Sequence, residues 1–94
     1  MNKYESVIII NPNLEGEAIK ALTEKFSNLI NTDGNVVSVE EVGKKKLAYE
    51  IKKNKEGYYI VFKFEANPNL VAELERVYRI TDEVIKFIVV KEED

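Results

Sequence analysis

The sequence contains neither cysteine nor histidine. In proteins these two residues provide the most reactive nucleophile, the commonest general base and most of the ligands that bind zinc and other transition metals. Their absence argues against most classes of enzyme. It also excludes a fold held together by disulfides and the Cys-x-x-Cys site of a metal chaperone.

Glycine and serine are present but are not arranged for catalysis or nucleotide binding. The four glycines are dispersed, so neither a P-loop nor a Gly-x-Gly-x-x-Gly turn can form. None of the three serines lies in a Gly-x-Ser-x-Gly elbow. Adjacent acids such as Glu40 and Glu41 would point to opposite faces of a strand, so they do not form a metal site. We therefore expect no cofactor, no metal and no enzymatic activity.

Long hydrophobic runs are also lacking. Apolar runs such as residues 7–10 and 87–90 are far shorter than the roughly 20 residues that a membrane-spanning helix requires. The opening residues show none of the charged, apolar and small-residue regions of a signal peptide, so we expect a cytoplasmic location. With 94 residues, 45% of them hydrophobic and 33% charged, the chain has the size and composition of one folded domain spanning residues 1–94.

Charge is distributed unevenly along the chain, although the net charge is only −3. Residues 43–55 (the basic segment) contain six lysines and a single acid, Glu50, and so carry a net charge of +5. The rest of the chain has a net charge of −8 and closes on the acidic run 92–94. The net charge is therefore a poor guide to the partners of this protein.

Hydrophobic periodicity predicts a strand followed by a helix at the start of the chain. The four consecutive β-branched residues 7–10 are typical of a central strand buried on both faces, which we predict over residues 4–10. Apolar residues at three- and four-residue steps then predict an amphipathic helix over residues 14–30. Asn13 is the expected N-cap of this helix.

The pattern in the middle of the chain predicts a β-hairpin. A long second strand begins near residue 36, is interrupted by a bulge at Gly43, and resumes its alternation through residue 51. Residues 54–57 have the composition of a turn, and residues 58–65 return as an antiparallel third strand. The side chains expected to face the core from this strand are Tyr58, Ile60, Phe62 and Phe64.

A second helix and a last strand complete the chain. Asn67 and Pro68 mark the start of the helix, and residues 84–91 form the strand. Two strand-helix-strand units joined by a hairpin predict an α+β fold of the ferredoxin-like βαββαβ kind. In this fold two helices cover one face of a four-stranded antiparallel sheet. Right-handed crossovers place the first and third strands in the centre and the second and fourth at the edges.

The third strand can be compared with the strand on which RNA-recognition motifs of the same topology carry stacking aromatic residues. The corresponding stretch is residues 56–63. Glu56 stands at the basic first position and Tyr59 at the small fourth position, while Ile60 and Lys63 replace aromatic residues. Base stacking of that kind is therefore not expected.

The lysine triplet 44–46 lies on the predicted second strand, at an edge of the sheet, and has two interpretations. Lysines on an edge strand discourage pairing with another chain. Lysines also neutralise phosphate groups, and such contacts position a protein on nucleic acid without reading its sequence. Composition does not decide between the two.

Residues 43–51, Gly-Lys-Lys-Lys-Leu-Ala-Tyr-Glu-Ile, resemble the signature segment of the bacterial small-subunit ribosomal protein S6 family. The resemblance covers the full chain in order and spacing. Its other matching segments are residues 4–5, 11–12, 57–59, 74–76, 79–80 and 89–91. Glu50 stands where proline is often found, and Lys44, Lys45 and Lys86 stand where many members carry arginine. Lysine lacks the planar fork with which arginine makes bidentate phosphate contacts.

The resemblance implies a structural, non-catalytic protein of the small ribosomal subunit. It implies binding to the central domain of small-subunit ribosomal RNA, at the platform, as a heterodimer with ribosomal protein S18. A basic partner would supply the cationic surface that an acidic chain lacks. The RNA-binding residues that the resemblance implies are Lys3, Arg79, Lys86 and Lys91. The expected partner interface is the edge strand at Lys46, Leu47, Ala48 and Tyr49, because edge strands offer unpaired backbone groups to a neighbour.

Two other classes of function fit the same topology. A protein-interaction module would form a self-complementary dimer and would be indifferent to RNA. A minimal enzyme of the acylphosphatase kind would need a glycine-rich anion-binding loop after the first strand, and residues 11–14 do not provide one. The resemblance favours the ribosomal protein over both.

Overall fold

The fold is a four-stranded antiparallel sheet with two helices packed on one face. The computed structural model describes residues 1–92; Glu93 and Asp94, which end both the acidic run and the expected domain, lie outside the described residues. In chain order the elements are β1 (Asn2–Ile10), α1 (Gly16–Asn31), β2 (Gly34–Ile51), β3 (Asn54–Ala66), α2 (Pro68–Ile80) and β4 (Val84–Lys91). Over residues 1–92, neither helix has the length and apolar character needed to cross a bilayer.

The strand order β2-β3-β1-β4 confirms the predicted ferredoxin-like arrangement. β1 and β3 lie in the centre, paired from Asn2 opposite Ala66 to Ile10 opposite Tyr58, and β2 and β4 lie at the edges. All three strand pairs are antiparallel. Each helix connects two strands that have one other strand between them, so the two strand-helix-strand units interlock into one sheet.

Alternate side chains of β1 and β3 form the core together with one stripe of each helix. The large apolar residues that are fully buried are Ile8, Ile10, Phe26, Ile30, Ile60, Phe62, Phe64, Leu74 and Tyr78. Phe26 of α1 packs edge-on against Phe62 and Tyr78, with ring centroids 6.3 and 4.8 Å apart. Aromatic pairs of this geometry add about 0.5–1.5 kcal/mol each beyond the area they bury. The inward row predicted for β3 is confirmed.

One buried hydrogen bond ties β1 to α2. The hydroxyls of Ser6 and Tyr78 are 2.8 Å apart, and both side chains are buried. Burial raises the pKa of the Tyr78 phenol, so its hydroxyl stays protonated. Each hydroxyl is the hydrogen-bond partner of the other inside an apolar core, where a polar group without a partner would destabilise the fold.

A second, smaller apolar cluster lies on the sheet face opposite the helices. It consists of Ile9, Leu47 and Ile85, with Ile51 packed against them. The far half of the β2–β3 hairpin therefore curves over β1 and β4. Gly57 makes this approach possible, because a Cβ at this position would overlap the side chain of Ile9.

The turn predicted at residues 54–57 is wrong. The hairpin turns instead at Lys52 and Lys53, whose φ angles of 48° and 66° both lie in the left-handed region. Two consecutive left-handed residues are what a type I′ hairpin turn requires, and asparagine and glycine are the usual occupants. Lysines at these positions give no sequence signal. Gly57 lies inside β3 and takes no part in the turn. The absence of a side chain there allows Ile9 to pack closely against the strand.

The predicted N-cap, Asn13, is also wrong. α1 begins at Gly16, and the N-cap is Glu15 with an extended backbone. Residues 11–14 form a turn of their own, in which Asn13 donates its backbone N–H to the side-chain oxygen of Asn11 at 2.9 Å. This local turn delays the start of the helix by two residues.

Three register shifts interrupt the pairing of β2 with β3, and the first lies between Val36 and Ser38. At Gly43, with φ of 103°, the register with β3 shifts, as the sequence predicts. Further along, residues 47–50 lie opposite Lys55 alone, because the pairing resumes only at Ile51. The extra length lets this part of β2 leave the plane of the sheet.

Replacing Gly57 by alanine should destabilise the fold by about 1–3 kcal/mol, the usual cost of overpacking, because the new methyl group overlaps Ile9. Gly16→Ala is the matched control, since nothing lies within 4 Å of a Cβ built there. It should not destabilise the fold, and it should raise stability by up to about 1 kcal/mol, because alanine restricts the unfolded chain. Urea unfolding measures both variants, and equal stabilities would contradict the close packing of the hairpin on β1.

Tyr78→Phe should lower the free energy of unfolding by about 1–3 kcal/mol, because it leaves the Ser6 hydroxyl buried without a partner. Adding Ser6→Ala should recover part of that loss, since both polar groups are then gone. A double-mutant cycle by chemical denaturation measures the coupling. Strictly additive effects of the two substitutions would show that the hydroxyls do not interact.

Candidate nucleic-acid interface

The four cationic residues predicted to bind RNA are all exposed and form two groups. The first group, Lys3 and Lys91, lies where the start of β1 runs beside the end of β4. There the backbone N–H of Glu92 donates to the carbonyl of Lys3 at 2.8 Å, which holds the two strands together. Lys3 lies opposite Glu65 of β3, so this end of the sheet also carries negative charge.

The second group, Arg79 and Lys86, lies where α2 ends and β4 begins. The guanidinium of Arg79 lies over the ring of Phe87 at 5.7 Å from its centroid. The Lys86 Nζ donates to the Tyr49 hydroxyl at 3.2 Å and lies 5.6 Å from the centre of that ring. Cation–π contacts of this kind hold a flexible cationic side chain in place while leaving its charge exposed.

The structure does not bring the two groups into one patch. Lys86 and Lys91 are five residues apart on β4, or roughly 17 Å at about 3.3 Å per residue. They also lie on opposite faces, because Lys86 pairs with Ile9 and Lys91 pairs with Tyr4 of the core-facing row. Any RNA that contacts all four residues must reach both ends of β4.

The second group lines a cleft of about 300 Å³ (the α2–β4 cleft). Phe87 and Ile85 contribute apolar surface to it, and Lys52 from the hairpin turn lies at its side. Sequence reasoning missed Lys52 because 27 residues separate it from Arg79 and because the turn was predicted two residues further on. Within residues 1–92 the one ion pair joins Arg76 to Glu73, so no carboxylate neutralises the cations of the cleft.

The four residues predicted as the partner interface do not share one environment. Lys46, Ala48 and Tyr49 are exposed, whereas Leu47 is only 7% exposed and packs on Ile9 and Ile85. Tyr49 reaches Lys86, so the predicted partner segment and a predicted RNA-binding residue touch each other. No sequence signal could show this contact, which joins residues 37 positions apart.

The exposed edge of β2 changes sign along its length. Glu40 and Glu41 are exposed before Gly43, and the lysines 44–46 are exposed after it. The Tyr58 hydroxyl donates to a carboxylate oxygen of Glu41 at 3.2 Å. Partial burial, together with the nearby charge of Glu41, raises the pKa of Tyr58. The edge therefore offers a partner an acidic stretch followed by a basic one.

Comparison with solved structures supports the class of fold. A crystal structure of 30S ribosomal protein S6 from Thermotoga maritima matches with a TM-score of 0.91 at 38% identity, covering 97% of this chain and 87% of that one. A protein from Arabidopsis thaliana, 18% identical with a TM-score of 0.57, covers 100% of this chain and 95% of that one and shares the fold alone. The class is thus a ferredoxin-like α+β domain.

Sequence comparison identifies the family within that class. The family model described as ribosomal protein S6 matches residues 3–91. Small ribosomal subunit protein bS6 of Clostridium novyi is 53% identical over 94 residues, covering 99% of each chain. The corresponding protein of Heliobacterium modesticaldum is 43% identical over 95 residues, covering 100% of this chain and 99% of that one.

The chain belongs to the ribosomal protein S6 family. It is a structural, non-enzymatic protein of the small ribosomal subunit, and its cellular location is that of the ribosome, the cytoplasm. The predicted family and the predicted absence of catalysis are both confirmed.

Proposed function

We propose that the chain binds the central domain of small-subunit ribosomal RNA together with ribosomal protein S18. The observation that carries this proposal is the charge distribution on a member of a ribosomal protein family. The net charge is −3, and the cations predicted to bind RNA form only two small groups. Affinity for RNA comes mainly from neutralising phosphates, so this chain needs a basic partner to complete the cationic surface.

The RNA contacts in this proposal are made by the two cationic groups. Lys3 and Lys91 contact phosphates at one end of β4, and Arg79 and Lys86 contact phosphates at the other. The separation of roughly 17 Å along the strand suits two different stretches of RNA backbone rather than neighbouring phosphates of one strand. Contacts of this type orient a protein on folded RNA without reading its bases.

The partner contacts are made by the free edge of β2. Its unpaired backbone groups can accept an extended segment of S18 as an additional strand. Lys46, Ala48 and Tyr49 contribute exposed side chains, while Leu47 contributes through its backbone, since its side chain is buried within the chain. The exposed Glu40 and Glu41 complement a basic partner.

The isolated chain should bind central-domain RNA weakly, and tight, salt-sensitive binding should require S18, because the acidic chain alone repels the phosphate backbone. Filter binding with and without S18, over a series of salt concentrations, measures this. Equal affinity of the isolated chain and the mixture would contradict joint binding.

Arg79→Ala should reduce incorporation into reconstituted subunits while changing the free energy of unfolding by no more than about 1 kcal/mol. The residue is exposed, and its main contact is the cation–π pair with Phe87. Arg76→Ala is the matched control, because Arg76 lies one turn earlier on α2 and is engaged with Glu73. It should leave incorporation unchanged.

A shift in thermal unfolding of Arg79→Ala with normal incorporation would assign Arg79 a structural role instead. Equal losses of incorporation for both arginine variants would show that the effect comes from the net charge of α2 and not from a contact specific to Arg79. Either result would remove Arg79 from the RNA-binding residues.

A further inference from the structure

We propose that the α2–β4 cleft is a phosphate-binding subsite for the RNA backbone and that Lys52 is its third cation. This inference rests on the proposed binding of ribosomal RNA and names a residue outside the set that the resemblance implies. Lys52, Arg79 and Lys86 line the same cleft of about 300 Å³, although they come from a hairpin turn, a helix end and a strand start. The subsite exists only in the folded protein.

The position of Lys52 is set by the geometry of the turn. Its φ of 48° and that of Lys53, 66°, make a two-residue connection in which Ile51 pairs directly with Asn54. The Asn54 side-chain amide donates to the Lys52 carbonyl at 3.1 Å and so braces the turn from within. A turn this short leaves its backbone little freedom, so the origin of the Lys52 side chain is well defined.

Contacts with β1 and β4 also fix the position of the β2–β3 hairpin beside the cleft. Leu47 is buried on Ile9 and Ile85, and Ile51, the residue before Lys52, packs against the same cluster. The Tyr49 hydroxyl and ring contact Lys86. These contacts place the turn next to the start of β4, so the entropy of gathering the three cations is lost during folding rather than on binding.

The charges of the cleft favour an anion. Three cations line it and no carboxylate does. The acids that lie two or three residues from these cations in sequence are exposed and do not line it; they are Glu50, Asp82 and Glu83. Arg79 lies in the last turn of α2, where it offsets the negative end of the helix dipole. The three cations repel one another, and a bound phosphate relieves that repulsion. Lysine and arginine at such a site neutralise backbone charge without selecting bases.

The test compares Lys52→Asn with Lys53→Asn in the complex with S18 bound to central-domain RNA. Asparagine tolerates the left-handed conformation, so both variants lose one charge from the same turn without added backbone strain. Lys53 is exposed but does not line the cleft, which makes it the matched control. Urea unfolding of both variants checks that the turn is preserved.

Lys52→Asn should weaken binding and lower the slope of log affinity against log salt by about 0.7–0.9, the contribution of one phosphate contact. Lys53→Asn should leave the slope unchanged. Equal effects of the two substitutions, or no effect of either, would overturn the subsite while leaving RNA binding by the complex intact. Failure of the unaltered complex to bind this RNA would instead overturn the proposed function, and the subsite with it.

Discussion

The close approach of Ile9 to the α-carbon of Gly57 is the constraint on which the functional surface depends. Because no side chain intervenes at Gly57, the far half of the β2–β3 hairpin can curve over β1 and β4 and bury Leu47 on Ile9 and Ile85. That burial fixes the position of the hairpin residues that follow Leu47. It brings Tyr49 against Lys86 and places the turn beside the α2–β4 cleft. The helix-side core holds the sheet together, but this small second cluster determines which cations meet.

Electrostatics explains why a protein with a net charge of −3 can still belong to an RNA-containing assembly. The four cations predicted to bind RNA lie near the ends of strands and helices, and the side chains of Arg79 and Lys86 contact aromatic rings rather than carboxylates. A carboxylate partner would cancel the charge, whereas a ring orients it and leaves it available. The acidic remainder, including the exposed Glu40 and Glu41 on the β2 edge, is a surface that a basic protein can cover.

Much of the fold could be predicted because its signals are local. The β-branched run in β1, the inward row of β3 and the Asn67-Pro68 start of α2 were all placed correctly by periodicity and helix-entry chemistry. The two errors arose where another interaction overrode the local sequence preference. Asn13 is a residue type that commonly caps helices, but here its backbone N–H donates to Asn11 in a separate turn that precedes the helix. Glycine is common in turns, but Gly57 lies within a strand, where the absence of a side chain leaves room for Ile9.

The sequence by itself determined the fold class and the exclusion of catalysis, because these follow from residue types and from periodicities that extend over a few neighbouring positions. It indicated the family through the resemblance of residues 43–51 and other segments to ribosomal protein S6. It also determined that the lysines of residues 43–55 stand out from an acidic chain. Only the tertiary structure decided that the four predicted RNA-binding residues form two separate groups, that Leu47 faces inward, and that Lys52 joins Arg79 and Lys86. The meeting of Lys3 with Lys91, the burial of Leu47 and the place of Lys52 depend on contacts between residues 27 or more positions apart and on one left-handed turn, so no local pattern of side chains predicts them.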